Sequence, residues 1–280
     1  MRPFRKLIFV VNDEKTGATE LAAELADLAR AAGVRAIRSV TSRRIQRGCF
    51  RGSDACCVIG GDGTLLGAVR EAAREGIPII GINQGSLGYL TTLSAEEARA
   101  HFGALLLGGY RIATRTLLDC RVGPRRRDIA LNDVLVKAET NSQLVRLEVH
   151  ADGELVTDYY CDGLVFSTPT GSTAYNLSAG GPIIHPAARV IAMTPICPHT
   201  LSNRTIIFED GVHLRVSHRS GEAPLLVAMD GQRNRVVTKG SPIEIEVSSR
   251  RLGLVQSRHY SHFEVMRAKL KWSGGLSDKK

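Results

Sequence analysis

A glycine turn between an apolar strand and a helix is the feature that most constrains this chain. The run at residues 55–59 is apolar, the turn is Gly60–Thr64, and the alanine-rich pattern at residues 65–74 is typical of a helix. A second apolar run follows at residues 77–82. Strand, turn, helix and strand in this order predict a parallel α/β sheet, whose ligands bind at the carboxyl ends of the strands. We therefore expect a ligand at Gly60–Thr64 and at Asn83–Gly88.

The rest of the N-terminal region repeats the alternation of strand and helix. Residues 6–11 form an apolar run, and apolar side chains recur at helical spacing over residues 16–33 before a terminal glycine. A further helix is predicted near residues 95–107, and these elements place an α/β domain at residues 1–115. The C-terminal tail, residues 255–280, shows a weak helical pattern, and we expect it to pack back on this domain.

The hydrophobic pattern changes its period in the second half of the chain. Residues 145–149 alternate apolar and charged side chains, and the hairpin signal Asp152-Gly153 follows them. The same alternation returns at residues 212–216 and 243–247. Because a period of two is typical of half-buried strands, we place an antiparallel β domain at residues 116–254.

The composition narrows the class of protein. The formal net charge is +9, yet the basic residues form short clusters without interleaved aromatic side chains, so no nucleic-acid surface is indicated. These clusters are either solvated loops or a positive field that attracts small polyanions such as ATP.

Six scattered cysteines without a C-x-x-C pair indicate reduced thiols rather than a zinc site or a disulfide framework. We interpret His259 and His262 as surface residues rather than metal ligands. Since no apolar stretch is long enough to span a membrane and none resembles a signal-peptide core, we expect a cytoplasmic protein that does not contact membranes.

The turn at Gly60–Thr64 carries the chemistry of the first domain. Its glycines let backbone amides approach phosphate oxygens, and the following helix offers its positive N-terminal end. Asp62 lies among those glycines, and a carboxylate that faces phosphates is unfavourable unless it has a function such as abstracting a hydroxyl proton. An ordinary tight turn capped by Thr64 is the alternative. Because such a turn is exposed, we expect Asp62 to make few contacts that matter for folding.

A second candidate site is the segment from Asp162 to Pro182, which is rich in glycine, serine and threonine. Small residues leave room for a ligand, hydroxyls and amides supply hydrogen bonds, and Tyr175 offers a face on which a base can stack. A glycine-rich loop between strands is the alternative interpretation.

The chain resembles the bacterial ATP-NAD kinases from the strand at Lys6 to the tail near Trp272. The motif Gly60–Thr64 is shared with lipid kinases and phosphofructokinases, so it indicates the type of reaction and not the substrate. The longer segment Thr168–Pro182 is specific to NAD kinases. The resemblance implies an enzyme that transfers a phosphoryl group from ATP to the 2'-hydroxyl of the adenosine ribose of NAD.

The resemblance also implies roles for individual residues. The aspartate that matches Asp62 is the general base of that family, which makes Asp62 the catalytic candidate. In the turn, the residues assigned to binding are Gly60, Gly61, Gly63 and Thr64. The residues assigned to the dinucleotide are Asn132, Asp133, Asp162, Thr173, Ala174, Tyr175, Asn176, Ser178 and Gln232. No residue is assigned to a metal ion, and Mg²⁺ or another divalent cation is implied as a cofactor that accompanies ATP.

The fold implied by the resemblance is an α/β, Rossmann-like N-terminal domain followed by an all-β C-terminal sandwich domain. NAD and ATP are the implied small-molecule partners, and the family suggests a homo-oligomer, either a dimer or a tetramer. Two other functions stay open: a non-catalytic NADP(H)-binding sensor, and another kinase of the wider superfamily that acts on a lipid or a sugar phosphate. Asp62 argues against the sensor, and the polar segment Thr168–Gly181 argues against the lipid kinase.

Two positions depart from the family pattern. Asp133 occupies a position that is usually glutamate, so its carboxyl group reaches one methylene less far and is expected to hold the ribose less firmly. The segment Gly88–Thr92 has Tyr89 and Thr92 where the family more often has phenylalanine and an acidic residue. We therefore assign no role to Thr92.

Overall fold

The computed structural model describes residues 2–85, 88–123, 126–140, 144–219, 224–237, 240–258 and 260–272. Ser86 and Leu87 of the expected ligand-binding edge, and also His259, lie outside the described residues. The chain divides into two compact units: Met1–Thr114 together with Leu252–Lys280, and Arg115–Arg251.

Helices and strands follow one another along the whole chain. In chain order the helices are α1 (Ala18–Ala31), α2 (Asp62–Glu75), α3 (Ala95–Leu106), α4 (Tyr175–Ser178) and α5 (His262–Leu270). The strands are β1 (Lys6–Val11), β2 (Ala36–Thr41), β3 (Ala55–Gly60), β4 (Ile79–Asn83), β5 (Leu93–Ser94), β6 (Tyr110–Val122), β7 (Arg126–Ala130), β8 (Asp133–Ala138), β9 (Val145–Ala151), β10 (Glu154–Cys161), β11 (Gly163–Ser167), β12 (Val190–Ile196), β13 (Ile206–Glu209), β14 (Leu214–His218), β15 (Leu225–Met229), β16 (Arg233–Val237) and β17 (Ile243–Ser257). The boundaries between the two units fall inside β6 and β17.

The first unit is built on a parallel sheet. Strands β2, β1, β3 and β4 pair side by side in that order, and the end of β17 pairs with β4. Strands β3 and β4 are buried along their whole length because helices pack on the sheet, and large apolar side chains such as Phe9, Leu21 and Phe102 form one core cluster. Gly60 and Asn83 are paired neighbours at the carboxyl ends of β3 and β4. A rigid, buried sheet therefore fixes the positions of the turn at Gly60–Thr64 and of the chain after β4.

The second unit is a β-sandwich. One antiparallel sheet has the strand order β13-β12-β11-β8-β15-β16, and the other contains β10, β9, β14 and the first half of β17. Side chains of both sheets, among them Phe166, Val227, Leu147 and Ile245, belong to one buried cluster. The predicted fold class, an α/β N-terminal part and a mostly β C-terminal part, is confirmed.

The predicted hairpin at Asp152-Gly153 connects β9 and β10. Both residues have positive φ angles, 51° and 87°, as the favoured two-residue turn requires. Strand β2, by contrast, has no counterpart in the sequence prediction. It lies at the edge of the sheet beside β1, and its half-exposed, partly polar residues hide the strand pattern. None of the helices in the described part of the chain is both long and apolar enough to cross a membrane.

Candidate active site

The glycine turn leads directly from β3 into α2. Gly61 is the N-cap of α2, and Asp62 is the first residue of the helix. A side chain at Gly60 would not fit, because its Cβ would lie 2.5 Å from the Thr64 Oγ1 atom. The Thr64 hydroxyl also receives a hydrogen bond of 3.2 Å from the Asn12 side-chain amide. Gly63 is exposed and has open space around its Cα, so a ligand can approach the first turn of the helix from solvent.

The Asp62 carboxylate is held by the segment Tyr89–Thr91. The backbone N–H of Tyr89 donates to Oδ2 over 2.8 Å, and those of Leu90 and Thr91 donate to Oδ1 over 3.1 and 2.9 Å. The Thr91 hydroxyl donates a fourth hydrogen bond of 2.9 Å to Oδ1. Among the described residues only Tyr89 donates to Oδ2, so Oδ2 is the oxygen with capacity left to accept a proton.

These contacts correct one sequence-based expectation. Asp62 was expected to make few contacts that matter for folding, and this is wrong. Its half-buried carboxylate connects α2 to the chain that follows β4. The sequence could not show this, since the donors lie 27 to 29 positions further along the chain. Gly88 is part of the arrangement, because a Cβ there would lie 2.0 Å from Asp62 Oδ1.

A chain of hydrogen bonds from buried side chains orients the Asp62 carboxylate. The Asn83 side-chain amide donates to Thr91 Oγ1 over 2.7 Å, and the Thr91 hydroxyl donates in turn to Asp62. Thr91 is fully buried, and Asn83 is 4% exposed. The Asn83 Oδ1 atom is buried and accepts no hydrogen bond from any described residue. Burial, and then the charge of Asp62, raise the pKa of the neighbouring Tyr89 phenol.

Lys15 brings a cation to the same edge of the sheet. Its Nζ atom lies 2.8 Å from the Gln84 carbonyl oxygen and 3.3 Å from that of Gly60, so it contacts the ends of both β3 and β4. Lys15 was not among the residues predicted from the sequence. The available signal was its place shortly after β1, whose carboxyl end lies at the same edge.

In the second unit, Asp230 organises the backbone of Asn132 and Asp133. Its carboxylate accepts hydrogen bonds from the N–H groups of Leu131 (3.0 Å), Asn132 (2.7 Å) and Asp133 (3.3 Å). The Asp230-Gly231 pair, interpreted from sequence as a hairpin signal, connects β15 and β16 with positive φ angles of 53° and 61°. The carboxyl group of Asp133 is buried, and burial together with the charge of Asp230 raises its pKa to about 7.

The segment after β11 packs directly on Asn132. Thr168 N–H donates to the Asn132 carbonyl over 2.9 Å, and a Cβ at Gly171 would lie 2.0 Å from that same oxygen. The Ser172 hydroxyl donates to the Pro169 carbonyl over 2.7 Å, which fixes the next turn of the loop. The second unit therefore brings Asn132 and Asp133 together with the loop that carries Thr173, Ala174, Tyr175 and Ser178. The Thr170 hydroxyl, which is buried, has no hydrogen-bond partner among the described residues.

Side chains of this loop differ in their access to solvent. The ring of Tyr175 is 43% exposed, and Ser178 is exposed too. Asn176 is fully buried, and its amide donates to the Ser172 and Pro182 carbonyls over 3.3 and 3.1 Å. Its Oδ1 accepts a hydrogen bond of 2.6 Å from the Thr194 hydroxyl. Asn176 therefore holds the loop in shape, whereas Tyr175 is free to contact a ligand.

Asp162 is separated from the other candidate residues of its unit. The register pairs Ser167 with Asp133 and Gly163 with Lys137, so Asp162 lies at the opposite end of β11 from Asn132 and Asp133. Gln232 is exposed and lies in the hairpin beside Asp230. No cluster of three or more His, Cys, Asp or Glu side chains suited to a metal ion occurs in the described ranges.

Both units are similar to domains of known proteins. Residues 9–110 match the ATP-NAD kinase N-terminal domain, and residues 131–257 match the ATP-NAD kinase C-terminal domain. An NAD kinase of Geobacter sulfurreducens is 39% identical over 224 residues, 79% of this chain and 79% of that protein. An NAD kinase of Pseudomonas fluorescens is 39% identical over 228 residues, 80% of this chain and 77% of that protein.

This chain belongs to the NAD kinase family. Solved structures of the family share its fold. Yeast NADH kinase complexed with NADH matches with a TM-score of 0.82 at 23% identity, over 100% of this chain and 91% of that chain. An NAD kinase from Archaeoglobus fulgidus in complex with ATP matches with a TM-score of 0.79 at 23% identity, over 96% of this chain and 100% of that chain. The predicted resemblance is confirmed.

The sequence did not indicate four residues of this NAD kinase fold: Lys15, Asn83 and Thr91 in the first unit, and Asp230 in the second. Lys15, Thr91 and Asp230 act through contacts with distant parts of the chain, such as the bond from Leu131 to Asp230, which spans 99 positions. Asn83 carried a partial signal, since it directly follows the buried strand β4 in the segment where a ligand was expected.

Proposed function

We propose that this member of the NAD kinase family transfers the γ-phosphoryl group of ATP to the 2'-hydroxyl of the adenosine ribose of NAD, giving NADP. The observation that carries the proposal is the Asp62 carboxylate, which four hydrogen bonds fix beside the open glycine turn. Its relatives in Geobacter and Pseudomonas are NAD kinases. A solved relative with the same fold is in complex with ATP.

Asp62 is the general base in this proposal. Its Oδ2 atom has a free lone pair and accepts the proton of the ribose hydroxyl as that oxygen attacks the phosphorus atom. The fixed orientation matters because phosphoryl transfer depends mostly on positioning and on stabilising charge. Gly60, Gly61, Gly63 and Thr64 contact the donor phosphates through the turn and through the N-terminal end of α2.

The second unit binds the dinucleotide. Asn132 and Asp133 bind a ribose, Tyr175 stacks on a ring, and Thr173, Ala174, Ser178 and Gln232 supply further contacts. Support comes from the packing of Asn132 on the 168–172 loop and from the exposed face of Tyr175. Asn176 fixes this loop with its two N–H donors, and its Oδ1, which accepts one hydrogen bond from Thr194, has a second lone pair with which it contacts the dinucleotide.

The divalent cation, Mg²⁺, enters the proposal together with ATP. In phosphoryl-transfer sites this ion is bound mainly by phosphates and water and by one or two protein oxygens. The Asn83 Oδ1 atom, which has no partner among the described residues, is an oxygen of that kind, and it leaves Asp62 Oδ2 for the proton. When bound, the ion neutralises negative charge on the phosphates.

A homo-oligomer in the cytoplasm is also part of the proposal. The exposed Asp162 lies far from Asn132 along β11, so a second copy of the chain is the natural way to bring it to a dinucleotide. The six cysteines are free thiols, as is usual in a reducing compartment. Light scattering during gel filtration measures the number of subunits, and a monomer at working concentration would contradict the assembly.

The deciding experiment is to incubate the purified protein with Mg-ATP and NAD and to assay NADP with an enzyme specific for it. We expect NADP to accumulate in proportion to time and protein. A folded preparation that binds NADP but forms none with several phosphate donors would indicate a sensor and would refute the kinase. Phosphorylation of a lipid or a sugar phosphate, with none of NAD, would indicate a different kinase of the superfamily.

A further inference from the structure

We propose that Lys15 is a phosphate-binding residue whose ammonium group binds the triphosphate of the nucleotide donor. The inference rests on the proposed function for the nature of the ligand. It extends that function by adding a side-chain cation to a site in which sequence reasoning found only backbone amides and a helix end.

The position of Lys15 points to a ligand at the turn. Its Nζ atom donates hydrogen bonds to the carbonyls of Gly60 and Gln84. Gly60 is the last residue of β3, and Gln84 directly follows its neighbour Asn83 at the end of β4. In parallel α/β sheets, ligands bind outside those strand ends. An ammonium group donates three hydrogen bonds, so one N–H of Lys15 is left for another acceptor.

No carboxylate within the described ranges neutralises the charge of Lys15. No ion pair among the described residues includes it, although Glu14 beside it pairs with Arg43. Carbonyl oxygens satisfy N–H donors but carry no net charge. A half-buried ammonium group whose charge is not neutralised attracts an anion, and phosphate is the anion that the glycine turn is suited to bind.

Two glycines leave the ammonium group accessible. A Cβ at Gly61 would lie 3.1 Å from Lys15 Nζ, and one at Gly85 would lie 3.7 Å from it. Any side chain at either position would occupy the space in front of the ammonium group. A phosphate group can therefore contact both Lys15 and the backbone of the turn.

Asn83 supplies an independent sign that a polar ligand binds here. A Cβ at Gly85 would lie 3.8 Å from Asn83 Oδ1, so this buried, unpartnered acceptor faces the same glycine as Lys15. A buried acceptor without a partner is costly. A hydrogen-bond donor or a hydrated cation that arrives with the triphosphate would satisfy it.

The competing explanation is that Lys15 only clamps the ends of β3 and β4 together. The two explanations predict different measurements. A clamp contributes to folding stability and leaves anion affinity unchanged, whereas a phosphate-binding residue contributes to triphosphate affinity even when NAD is absent.

The experiment measures the binding of ATP and of inorganic tripolyphosphate by calorimetry, with and without Mg²⁺, to the full chain and to three variants. Lys15→Met removes the charge, and Lys15→Arg keeps it. Lys6→Met is the matched control, because Lys6 is an exposed lysine at the amino end of β1. The melting temperature and the NAD affinity are measured on the same preparations.

We expect Lys15→Met to weaken both phosphate ligands about 10- to 100-fold, the usual effect of losing a charge-assisted hydrogen bond. Lys15→Arg should retain most of the affinity, Lys6→Met all of it, and NAD affinity should be equal in all four proteins. Unchanged ATP affinity in Lys15→Met, or an equal loss for ATP and NAD, would overturn the proposal. If Lys15→Met does not fold, Lys15→Gln decides, because its amide can still donate to the carbonyls without the charge.

Failure of this proposal is distinguishable from failure of the proposed function. Binding of ATP and tripolyphosphate is measured without turnover, so Lys15 can prove to be a phosphate ligand in a protein that makes no NADP. Conversely, a wild-type protein that makes NADP while Lys15→Met binds ATP normally would leave the kinase intact and refute the role of Lys15.

Discussion

Two carboxyl groups, one in each compact unit, have opposite surroundings. Asp62 is half-buried and accepts four hydrogen bonds from the segment Tyr89–Thr91. Asp133 is 6% exposed, and its backbone N–H donates a hydrogen bond to Asp230. Burial and the charge of Asp230 accordingly raise the pKa of Asp133 to about 7. A carboxylate with fixed hydrogen bonds is suited to take a proton at one place, whereas a buried carboxyl group with a raised pKa is suited to exchange hydrogen bonds with a hydroxyl group of a ligand.

Asp230 shows that burial alone does not decide this difference. It is as buried as Asp133, yet three backbone N–H groups donate to it and Arg233 lies 3.9 Å away. Its hydrogen bonds shape the backbone from Leu131 to Asp133. Burial raises the pKa of both carboxyl groups, and at Asp230 the backbone hydrogen bonds and the charge of Arg233 counteract that rise.

The largest expected effect is on turnover in Asp62→Asn. Loss of the base should lower kcat about 100- to 10,000-fold. The melting temperature should fall as well, because the new amide NH₂ faces an N–H donor of the segment Tyr89–Thr91, at a cost of about 1–3 kcal/mol. Steady-state kinetics and thermal unfolding on one preparation measure both effects.

Asp54→Asn is the matched control for that variant. The Asp54 carboxylate also accepts two backbone hydrogen bonds, from Arg5 and Lys6, but at the amino end of β1. We expect this control to lose stability and to keep its kcat. Equal kcat values for the two variants would show that Asp62 has only the structural role.

Asp133→Asn should change how stability depends on pH. The pKa of Asp133 is raised from 3.8 to about 7, so between these pH values the folded state holds more protons than the unfolded state. The free energy of unfolding of the wild type should therefore fall as the pH rises through this window, by at most about 4 kcal/mol at 1.36 kcal/mol per pKa unit. The variant lacks the charged form, so it should be more stable than the wild type at pH 8.

Urea unfolding at pH 5 and pH 8 measures this difference. Asp230→Asn serves as the comparison, because it disturbs three hydrogen bonds to the backbone and should lose stability at both pH values. If the wild type and Asp133→Asn show the same change with pH, the raised pKa of Asp133 is wrong.

Gly88→Ala tests whether the segment after β4 positions Asp62. The new Cβ would lie 2.0 Å from Asp62 Oδ1 and 2.4 Å from Thr91 Oγ1, so the segment has to move. A displacement of about 1 Å at a reacting group can lower kcat about 100-fold. Gly103→Ala in α3 is the control, since its Cβ meets nothing within 4 Å and should stabilise the helix by about 1 kcal/mol. A normal kcat in Gly88→Ala would mean that Asp62 needs no fixed position.

The smallest effect is expected for Tyr175→Ala. Loss of stacking should weaken NAD binding by about 1 kcal/mol, roughly fivefold, while the melting temperature stays level because the ring is 43% exposed. Tyr175→Phe should bind NAD as the wild type does, and Tyr160→Ala, which removes another exposed tyrosine, should do the same. Fluorescence titration with NAD gives the affinities, and an unchanged value for Tyr175→Ala would make the ring a packing residue.

Local patterns predicted much of the fold. The buried strands β1 and β3, the helices α1 and α2 and the hairpin at Asp152-Gly153 depend on residues close together in sequence, so periodicity and turn chemistry were sufficient. Strand β2 was missed because its pairing with β1, and not its own composition, makes it a strand.

The candidate site was predictable only in part. The glycine turn and the loop around Tyr175 were visible because unusual composition marks them. The hydrogen bonds that fix Asp62 and the position of Lys15 depend on which strand ends are neighbours, and a single sequence does not contain that information. Asn176 is a second example. Composition shows that its amide is present, but it does not show that the amide is hydrogen-bonded to Thr194 and to two carbonyls.

The central claim is that the two carboxyl groups divide the work, Asp62 in the chemical step and Asp133 in binding. Its most direct test is to measure kcat and the NAD dissociation constant of Asp62→Asn and Asp133→Asn side by side at pH 8. We predict a crossed result: Asp62→Asn loses kcat and keeps its NAD affinity, and Asp133→Asn loses NAD affinity and keeps kcat within a few-fold. Parallel losses of both quantities in the two variants, or a normal kcat in Asp62→Asn, would contradict the account.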